Sequence, residues 1–346
     1  MRRRDFRRSS MLSLLTTQVL SHGRALHGRA DGGHFVRPDR SADVVSRDVD
    51  YVVGNTTYEG FWSVPKGVAP RAGLLIAHQY MGLIDYEKSR AEEFAASGYG
   101  VFALDVYGKG VRCNTTDCAK ATMNKALSDL PKLRSLINAG ANQLLHEWGT
   151  GADPTKLVAM GCTTATLERD SRHPLPRAPI PLLHPRLSPP PASRLAGAAD
   201  CFGGGMVLDL ARHPTRGASL GLTFKAVSSI HGSLSPYDTP SSEGEIQSRI
   251  QAHHAELDFQ GDAGLAKLEA EMKVGVTNSD AIWETIKYSK CEHGWTEPGT
   301  PVYNGRAAVQ AHKSTFNFFQ EALGIEDPEA DPFPPVPICQ APTTAR

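Results

Sequence analysis

The sequence lacks several features that would place it in other functional classes. It has no run of 18 apolar residues, so no membrane-spanning helix is predicted. Its 37 basic and 37 acidic side chains balance, which gives no electrostatic reason to expect nucleic acid or an anionic membrane as a partner. None of its six cysteines forms a Cys-x-x-Cys pair, so a zinc site is not expected. We predict a monomer without a metal or a cofactor.

The two ends of the chain differ in composition from the middle. The first 30 residues are rich in Arg and Ser with one acidic residue, Asp5, as in an organellar presequence. A weak secretory or twin-arginine signal and a disordered extension remain open. We place residues 1–45 outside the folded domain, which leaves the compartment open between cytoplasm and an organelle. Residues 325–346 are Pro-rich and are predicted to be a disordered tail.

Between residues 46 and 324 the sequence alternates between strand and helix patterns. Residues 48–64 alternate around Gly54-Asn55 and predict a β-hairpin. The apolar runs AGLLIAH, YGVFALDVYG and KLVAMG predict strands that are buried on both faces. Helical spacing follows these runs, including one continuous stretch over 122–145. The pattern predicts an α/β fold, a three-layer α-β-α sandwich with a mostly parallel central sheet.

Three residues with complementary chemistry occur near the ends of predicted elements: Cys201, Asp258 and His293. Cys201 precedes Phe-Gly-Gly-Gly and a helical pattern; small residues allow a sharp turn, and a helix N-terminus favours negative charge. A histidine can take the proton of a thiol, and a carboxylate can fix the tautomer of that histidine. The order nucleophile, carboxylate, histidine is the order used by α/β-hydrolases.

Other residues of similar chemistry have structural explanations. Asp262 is a second candidate carboxylate, which we assign instead as the cap of the helix that follows it. His253 and His254 are assigned to a strand and its end. Cys113 and Cys118 flank Asn-Thr-Thr-Asp, and they form either a disulfide in an oxidising compartment or two unpaired loop thiols.

Four segments resemble the dienelactone hydrolase family of α/β-hydrolases (carboxymethylenebutenolidase-like): CFGGGMVLDLAR, LLIAHQYMGL, ALDVYGKG and YSKCEHGWTEP. The resemblance spans about 48–324. It implies an α/β-hydrolase fold in which Cys201 is the nucleophile, His293 the base and Asp258 the carboxylate. It also implies an oxyanion hole formed by the backbone N–H groups of Tyr80 and Phe202. The implied reaction is cleavage of a small ester or lactone through an acyl-enzyme.

The sequence departs from the family at positions expected to contact the substrate. Gln79 stands where bacterial dienelactone hydrolases have a glutamate that helps to activate the thiol, and an amide cannot accept a proton. Lys109 and Glu297 match positions at which those enzymes hold the substrate carboxylate with arginines; a lysine is only a point charge, and a glutamate repels the carboxylate. Trp295, in the histidine motif, is also assigned to substrate binding. The resemblance therefore supports a cysteine hydrolase more than it supports dienelactone as the substrate.

Residues 162–200 interrupt the family pattern between a strand and the nucleophile. They contain eight prolines and no sustained periodicity, and proline breaks both helices and sheets. Joining Gly161 through one residue to Cys201 would restore the strand and turn that a nucleophile requires. Two explanations remain open: a surface insertion, or translation of an unspliced intron, which we favour. We hypothesise that the chain as written has an impaired nucleophile turn.

Three alternative functions remain open at this point. A carboxylesterase or thioesterase would use the same triad on a different small-molecule substrate. A non-catalytic binding protein with a hydrolase-like fold would explain both the interrupted turn and Gln79. A redox-sensing thiol is a weaker alternative, since an exposed cysteine with a low pKa also oxidises readily.

Overall fold

The computed structural model describes residues 43–161, 202–214, 222–277 and 280–325. Within these residues the chain forms one eight-stranded sheet and six α-helices. The strands are β1 (Val44–Val53), β2 (Thr56–Pro65), β3 (Ala72–Ala77), β4 (Tyr99–Leu104), β5 (Leu157–Gly161), β6 (Ala226–Ile230), β7 (Arg249–Ala255) and β8 (Trp283–Tyr288). The helices are α1 (Asp85–Ala96), α2 (Thr116–Leu127), α3 (Leu130–Trp148), α4 (Phe202–Arg212), α5 (Gly261–Gly275) and α6 (Gly305–Leu323).

The order of the strands across the sheet is β1-β2-β4-β3-β5-β6-β7-β8. The predicted hairpin forms from β1 and β2, and β2 pairs antiparallel with β4. All remaining pairs are parallel. Every residue of β3, β4 and β5 is buried, because a parallel sheet is covered on both faces by its crossover helices. The predicted fold class is confirmed, and the sheet is that of an α/β-hydrolase.

The two faces of the sheet have separate apolar cores. On one face the side chains of α3, α4 and α5, among them Leu136, Met206 and Leu265, pack against the strands. On the other face α1 and α6 contribute Phe94 and Phe316. Full burial of one such side chain contributes about 1.5–3 kcal/mol. These cores hold the carboxyl ends of β5 to β8 at one edge of the sheet. Within the described residues, no helix combines the length and apolarity needed to cross a membrane.

The predicted helix over 122–145 is two helices in the structure. The first ends at Leu127 and the second begins at Leu130. The carboxylate of Asp129 accepts a hydrogen bond from the N–H of Lys132 at 3.1 Å, as an N-cap residue does. Pro131 lies in the first turn of the second helix, where its missing N–H costs nothing. The sequence therefore contained the start signal of α3 inside an otherwise continuous helical pattern.

The two cysteines around Asn-Thr-Thr-Asp form a disulfide in the structure, Cys113–Cys118. The backbone N–H of Cys113 donates to the carbonyl oxygen of Met81 at 2.8 Å. The disulfide thus lies beside the loop that follows β3. Of the two possibilities left open by the sequence, the structure has the paired one.

The first turn of α4 packs against the ends of two strands through glycines. A Cβ atom on Gly161, the last residue of β5, would lie 2.0 Å from the carbonyl oxygen of Gly203. A Cβ on Gly204 would lie 2.5 Å from Cα of Gly232, just beyond β6. Backbone therefore contacts backbone at both places. Residues 162–201 lie outside the described residues. The first turn of α4 nevertheless lies against the carboxyl end of β5, which is the strand that the sequence predicts to precede this helix.

Replacing Gly161 by alanine tests this close contact. We expect Gly161→Ala to lower the free energy of unfolding by about 2–4 kcal/mol, because the added methyl group can only be accommodated by moving backbone. Gly151→Ala is the control, since a Cβ atom there meets nothing within 4 Å. Both variants can be compared by urea denaturation. Equal stability of the two variants would contradict the packing described here.

Candidate active site

A histidine–carboxylate pair lies at the carboxyl edge of the sheet. Asp258 follows β7 and His293 follows β8; these strands are parallel neighbours, so both residues reach the same edge. Nδ1 of His293 lies 2.7 Å from Oδ2 of Asp258. The other carboxylate oxygen, Oδ1, accepts a hydrogen bond from the N–H of Gln260 at 3.0 Å. The geometry suits a carboxylate that fixes the orientation and tautomer of a histidine.

The environment of Asp258 keeps its carboxylate charged. The residue is only 6% exposed, and burial by itself would raise its pKa. The hydrogen bond and charge of His293, together with the N–H of Gln260, outweigh burial and hold the pKa of Asp258 below its usual value. The carboxylate is therefore available as a negative partner for a protonated imidazole at neutral pH.

The segment that follows β6 connects this pair to the first turn of α4. The imidazole of His231 lies 5.4 Å, ring centre to ring centre, from that of His293. The next residue, Gly232, is in backbone contact with Gly204 of α4. The side chain of Gln260 donates from Nε2 to the carbonyl oxygen of Gly232 at 3.0 Å. The His293–Asp258 pair is thus connected through His231 and Gly232 to the N-terminus of α4, and all of them belong to one packed cluster.

The loop after β3 carries Tyr80 and faces the start of α4. The Tyr107 hydroxyl donates to the carbonyl oxygen of Tyr80 at 3.0 Å. The Tyr107 ring stacks on Phe202, with centres 5.6 Å apart and an interplanar angle of 18°. Tyr107 therefore holds together the two residues whose backbone N–H groups the sequence assigns to an oxyanion hole.

The same loop is also held from within by Gln79 and Glu87, both of which are fully buried. Oε1 of Gln79 accepts a hydrogen bond from the N–H of Met81 at 3.0 Å. The carboxyl group of Glu87 accepts from the N–H of Gln79 at 3.3 Å and from that of Ile84 at 3.1 Å. These bonds give Gln79 a role in shaping the loop, in addition to its expected position beside the substrate.

The other residues expected to bind substrate are engaged with the protein. Lys109 pairs with Asp50 and lies 3.8 Å from Glu59. Glu297 is half-buried, in the loop after His293. Trp295 is fully buried and packs against other side chains of the core. The structure thus provides no unpaired cation at these positions.

The second candidate carboxylate, Asp262, lies apart from the pair. Its side chain is 78% exposed, and Oδ1 lies 2.5 Å from Nζ of Lys287. The expectation that Asp262 caps α5 is wrong, since Gln260 is the N-cap residue and Asp262 lies within the first turn. His253 and His254 both belong to β7, as expected.

The cysteines within the described residues are not reactive thiols. Cys113 and Cys118 are joined in the disulfide. Cys291 is buried, and burial raises the pKa of its thiol. Cys201 lies outside the described residues, and Phe202, which follows it, begins α4.

The C-terminal part of α4 is fixed by ion pairs. The guanidinium of Arg134 binds Asp209 at 2.7 Å and Asp238 at 2.9 Å. One potential ligand atom from each of Asp209, His213 and Asp238 lies within 4.8 Å of the others, but both carboxylates already bind the guanidinium of Arg134. We interpret this cluster as an anchor of α4 on α3.

The sequence of the chain matches that of a known family. The dienelactone hydrolase family pattern matches residues 58–166 and 194–323, more than half of the chain. The chain belongs to the dienelactone hydrolase family. Residues 167–193, which the match leaves out, fall inside the predicted insertion. Membership makes the protein a hydrolase of ester bonds.

Individual proteins are similar to this chain in sequence or in structure. The uncharacterized protein K02A2.1 of Caenorhabditis elegans is 28% identical over 138 residues, which are 38% of this chain and 81% of that protein. A dienelactone hydrolase-like promiscuous phosphotriesterase from metagenomic libraries is 21% identical. It has a TM-score of 0.59, over 81% of this chain and 99% of that chain. Esterase 2 of Thermogutta terrifontis, phosphorylated by paraoxon, is 15% identical. It has a TM-score of 0.50, over 82% of this chain and 96% of that chain. At these identities, the two structures show the fold.

Four residues of this site are not predicted from the sequence: His231, Gln260, Tyr107 and Glu87. A histidine followed by glycine at the end of a predicted strand is a signal that could have identified His231. The roles of Gln260 and Glu87 depend on hydrogen bonds between distant segments, for which the sequence carries no local pattern.

Glu87 should make the stability of the protein depend on pH. Burial raises the pKa of Glu87 to about 8 from its ordinary value of 4.5, against the hydrogen bonds from Ile84 and Gln79. Between these pH values the folded protein keeps a proton that the unfolded chain loses. The free energy of unfolding should therefore fall as the pH rises from about 5 to 8, on the order of a few kcal/mol. Urea denaturation across this range measures the slope.

Glu87→Gln removes the titrating group, so we expect a flatter profile for this variant. Glu92→Gln, on the same helix but half-buried, serves as the matched control and should keep the wild-type slope. A wild-type slope in Glu87→Gln would show that another group causes the pH dependence.

Proposed function

We propose that the protein hydrolyses small esters or lactones, with Cys201 as nucleophile, His293 as base and Asp258 as the carboxylate that orients it. The observation that supports this most is the His293–Asp258 pair at 2.7 Å. The pair is connected through His231 and Gly232 to the turn of α4 that Cys201 directly precedes.

The position of Cys201 favours a reactive thiolate. The N-terminus of a helix carries a partial positive charge that lowers the pKa of a thiol there. The cysteines within the described residues offer no competing nucleophile, since two form a disulfide and the third is buried with a raised pKa. A thiolate of this kind needs only a neighbouring histidine to take or share its proton.

The first half of the reaction would form a thioester. The proton of the Cys201 thiol passes to His293, and the sulfur attacks the carbonyl carbon of the ester. The carbonyl oxygen becomes an oxyanion, which accepts hydrogen bonds from the backbone N–H groups of Tyr80 and Phe202. The C–O bond to the leaving group then breaks, and His293 returns its proton to the departing alcohol. With a lactone, the alcohol stays attached to the acyl group.

The second half of the reaction would release the acid. His293 takes a proton from a water molecule, and the resulting hydroxide attacks the thioester carbon. The C–S bond breaks, and the sulfur leaves as a thiolate that regains the proton. Asp258 stabilises the imidazolium in both halves. Preorganised N–H donors aimed at the oxyanion typically contribute a factor of about 100 to 1,000 in rate for each donor.

The contacts of Lys109 and Glu297 bear on the substrate. The Lys109 ammonium pairs with Asp50. Glu297 lies near enough to Glu87 for its charge to raise the pKa of that residue. Neither residue offers a carboxylate-bearing substrate an unpaired cation. For this reason the proposal is a general ester or lactone hydrolase rather than an enzyme specific for dienelactone.

Substitution of the three proposed residues tests the function. With p-nitrophenyl acetate as substrate, we expect Cys201→Ala and His293→Ala to lower kcat/KM by about 1,000-fold or more. Asp258→Asn should lower it about 100- to 10,000-fold. The matched control is Cys162→Ala, which removes the cysteine directly after β5 and should leave turnover unchanged.

The outcomes of this experiment separate the candidate functions. Wild-type turnover in Cys201→Ala would refute the acyl-enzyme proposal. If Cys162→Ala loses turnover and Cys201→Ala does not, the nucleophile is Cys162 rather than Cys201. If the wild-type protein binds ester analogues but does not turn over esters or thioesters, it is a binding protein with a hydrolase fold.

Removal of residues 162–200 tests whether they impair the nucleophile turn. In the test variant a single tyrosine replaces these residues, so that β5 leads directly into the nucleophile turn. We expect this variant to hydrolyse p-nitrophenyl acetate at least 10-fold faster than the full chain. Equal kcat/KM in the two chains, with equal fractions of active sites by thiol titration, would reject the impairment hypothesis.

A further inference from the structure

His231 occupies an unusual position next to the candidate base. It is the residue directly after β6, it is fully buried, and its backbone φ angle is 42°. A positive φ angle is uncommon for a residue with a side chain. Such strain persists where the surrounding structure requires that side chain, and it occurs often at active sites.

The imidazole of His231 is held by a hydrogen-bonded chain that begins in α1. Its Nε2 lies 2.9 Å from the hydroxyl oxygen of Thr296. The same hydroxyl lies 3.1 Å from the hydroxyl of Tyr86. All three side chains are buried. Thr296 belongs to the loop that carries His293, so this chain ties the loop to both α1 and the end of β6.

The rings around His231 form a cluster of edge-on and tilted contacts. Trp295 meets the imidazole edge-on, with centres 4.6 Å apart and an interplanar angle of 72°. The centre of the His293 ring lies 5.4 Å from that of His231, and the two ring planes are inclined by 54°. The centre of the Phe259 ring lies 4.8 Å from that of the His293 ring. The ring of His293 is therefore confined by His231 and Phe259, while Asp258 holds its Nδ1.

We propose that His231 is a positioning residue for His293, acting through its ring contact and through the Thr296 hydroxyl that secures the His293 loop. The proposal rests on the proposed function, in which His293 transfers protons. His231 also links His293 to the nucleophile turn, since Gly232 contacts Gly204. A small rotation of either element is thereby resisted by the other.

The charge state of His231 fits this role. Burial lowers the pKa of His231 well below its usual value, and the nearby His293 and His253 lower it further. The ring therefore stays neutral when His293 gains a proton during the reaction. A second imidazolium beside the first would be repelled, whereas a neutral ring supports the imidazolium without this penalty.

Two substitutions remove the proposed support without removing His293. His231→Phe keeps a ring but loses Nε2, and Thr296→Val keeps the shape of the threonine but loses its hydroxyl. The matched control is Thr315→Val, because Thr315 is also fully buried and its hydroxyl lies 2.8 Å from Ser228 and 3.1 Å from the buried histidine His253.

We expect both test variants to lower kcat for p-nitrophenyl acetate about 10- to 100-fold while KM changes less than about threefold, since a misplaced base affects the chemical step. Thr315→Val should keep the wild-type kcat. His231→Gln should recover part of the activity, because its amide can exchange a hydrogen bond with Thr296. Thermal unfolding of each variant separates this loss from a loss of fold.

The second readout does not depend on turnover. The proton between His293 Nδ1 and Asp258 should give a resolved downfield proton NMR signal in the wild-type protein, assigned by its absence in His293→Ala. We expect the signal to broaden or disappear in His231→Phe and Thr296→Val but not in Thr315→Val.

The results distinguish failure of this proposal from failure of the proposed function. Unchanged kcat and an unchanged downfield signal in both test variants would overturn the role of His231, as would equal losses in Thr315→Val. If His293→Ala and Cys201→Ala retain turnover, the proposed function fails. The NMR comparison then still decides whether His231 positions His293.

Discussion

The site depends on the contact between backbone and backbone at the start of α4. Gly161 at the end of β5 touches Gly203, and Gly204 touches Gly232 beyond β6. Any side chain at these positions would push the helix away from the sheet edge. Because the helix can approach so closely, its first turn lies against Gly232, two residues beyond the end of β6.

The candidate base is defined by parallel pairing and by burial together. β7 and β8 are adjacent and parallel, so the loops after them meet. Burial of Asp258 would favour its neutral form, but the hydrogen bond and charge of His293 and the Gln260 N–H keep it ionised. Gln260 also donates to Gly232. The same few contacts therefore set the charge of the carboxylate and connect it to the turn where the nucleophile is proposed.

Much of the fold was predictable from local patterns, because a parallel sheet imposes apolar runs and its helices impose a regular spacing. The hairpin, the buried strands and the fold class agree with the structure. The helix over 122–145 was predicted as one element, since its apolar spacing runs through Asp129 and Pro131, which in fact begin a new helix. Asp262 was assigned as a cap because caps and first-turn acids look alike in a sequence; the structure assigns that position to Gln260.

By itself, the sequence determined the fold class and the pairing of a carboxylate with a histidine, since residue type and chain order carry that information. It also predicts that residues 162–200 interrupt the family pattern between β5 and Cys201, as an insertion or as a translated intron. Only the tertiary structure decided that Lys109 is paired with acidic residues, that Trp295 is buried, and that His231 lies against His293. These outcomes depend on contacts between segments far apart in the chain, and such contacts are set by packing of the whole domain rather than by any local pattern.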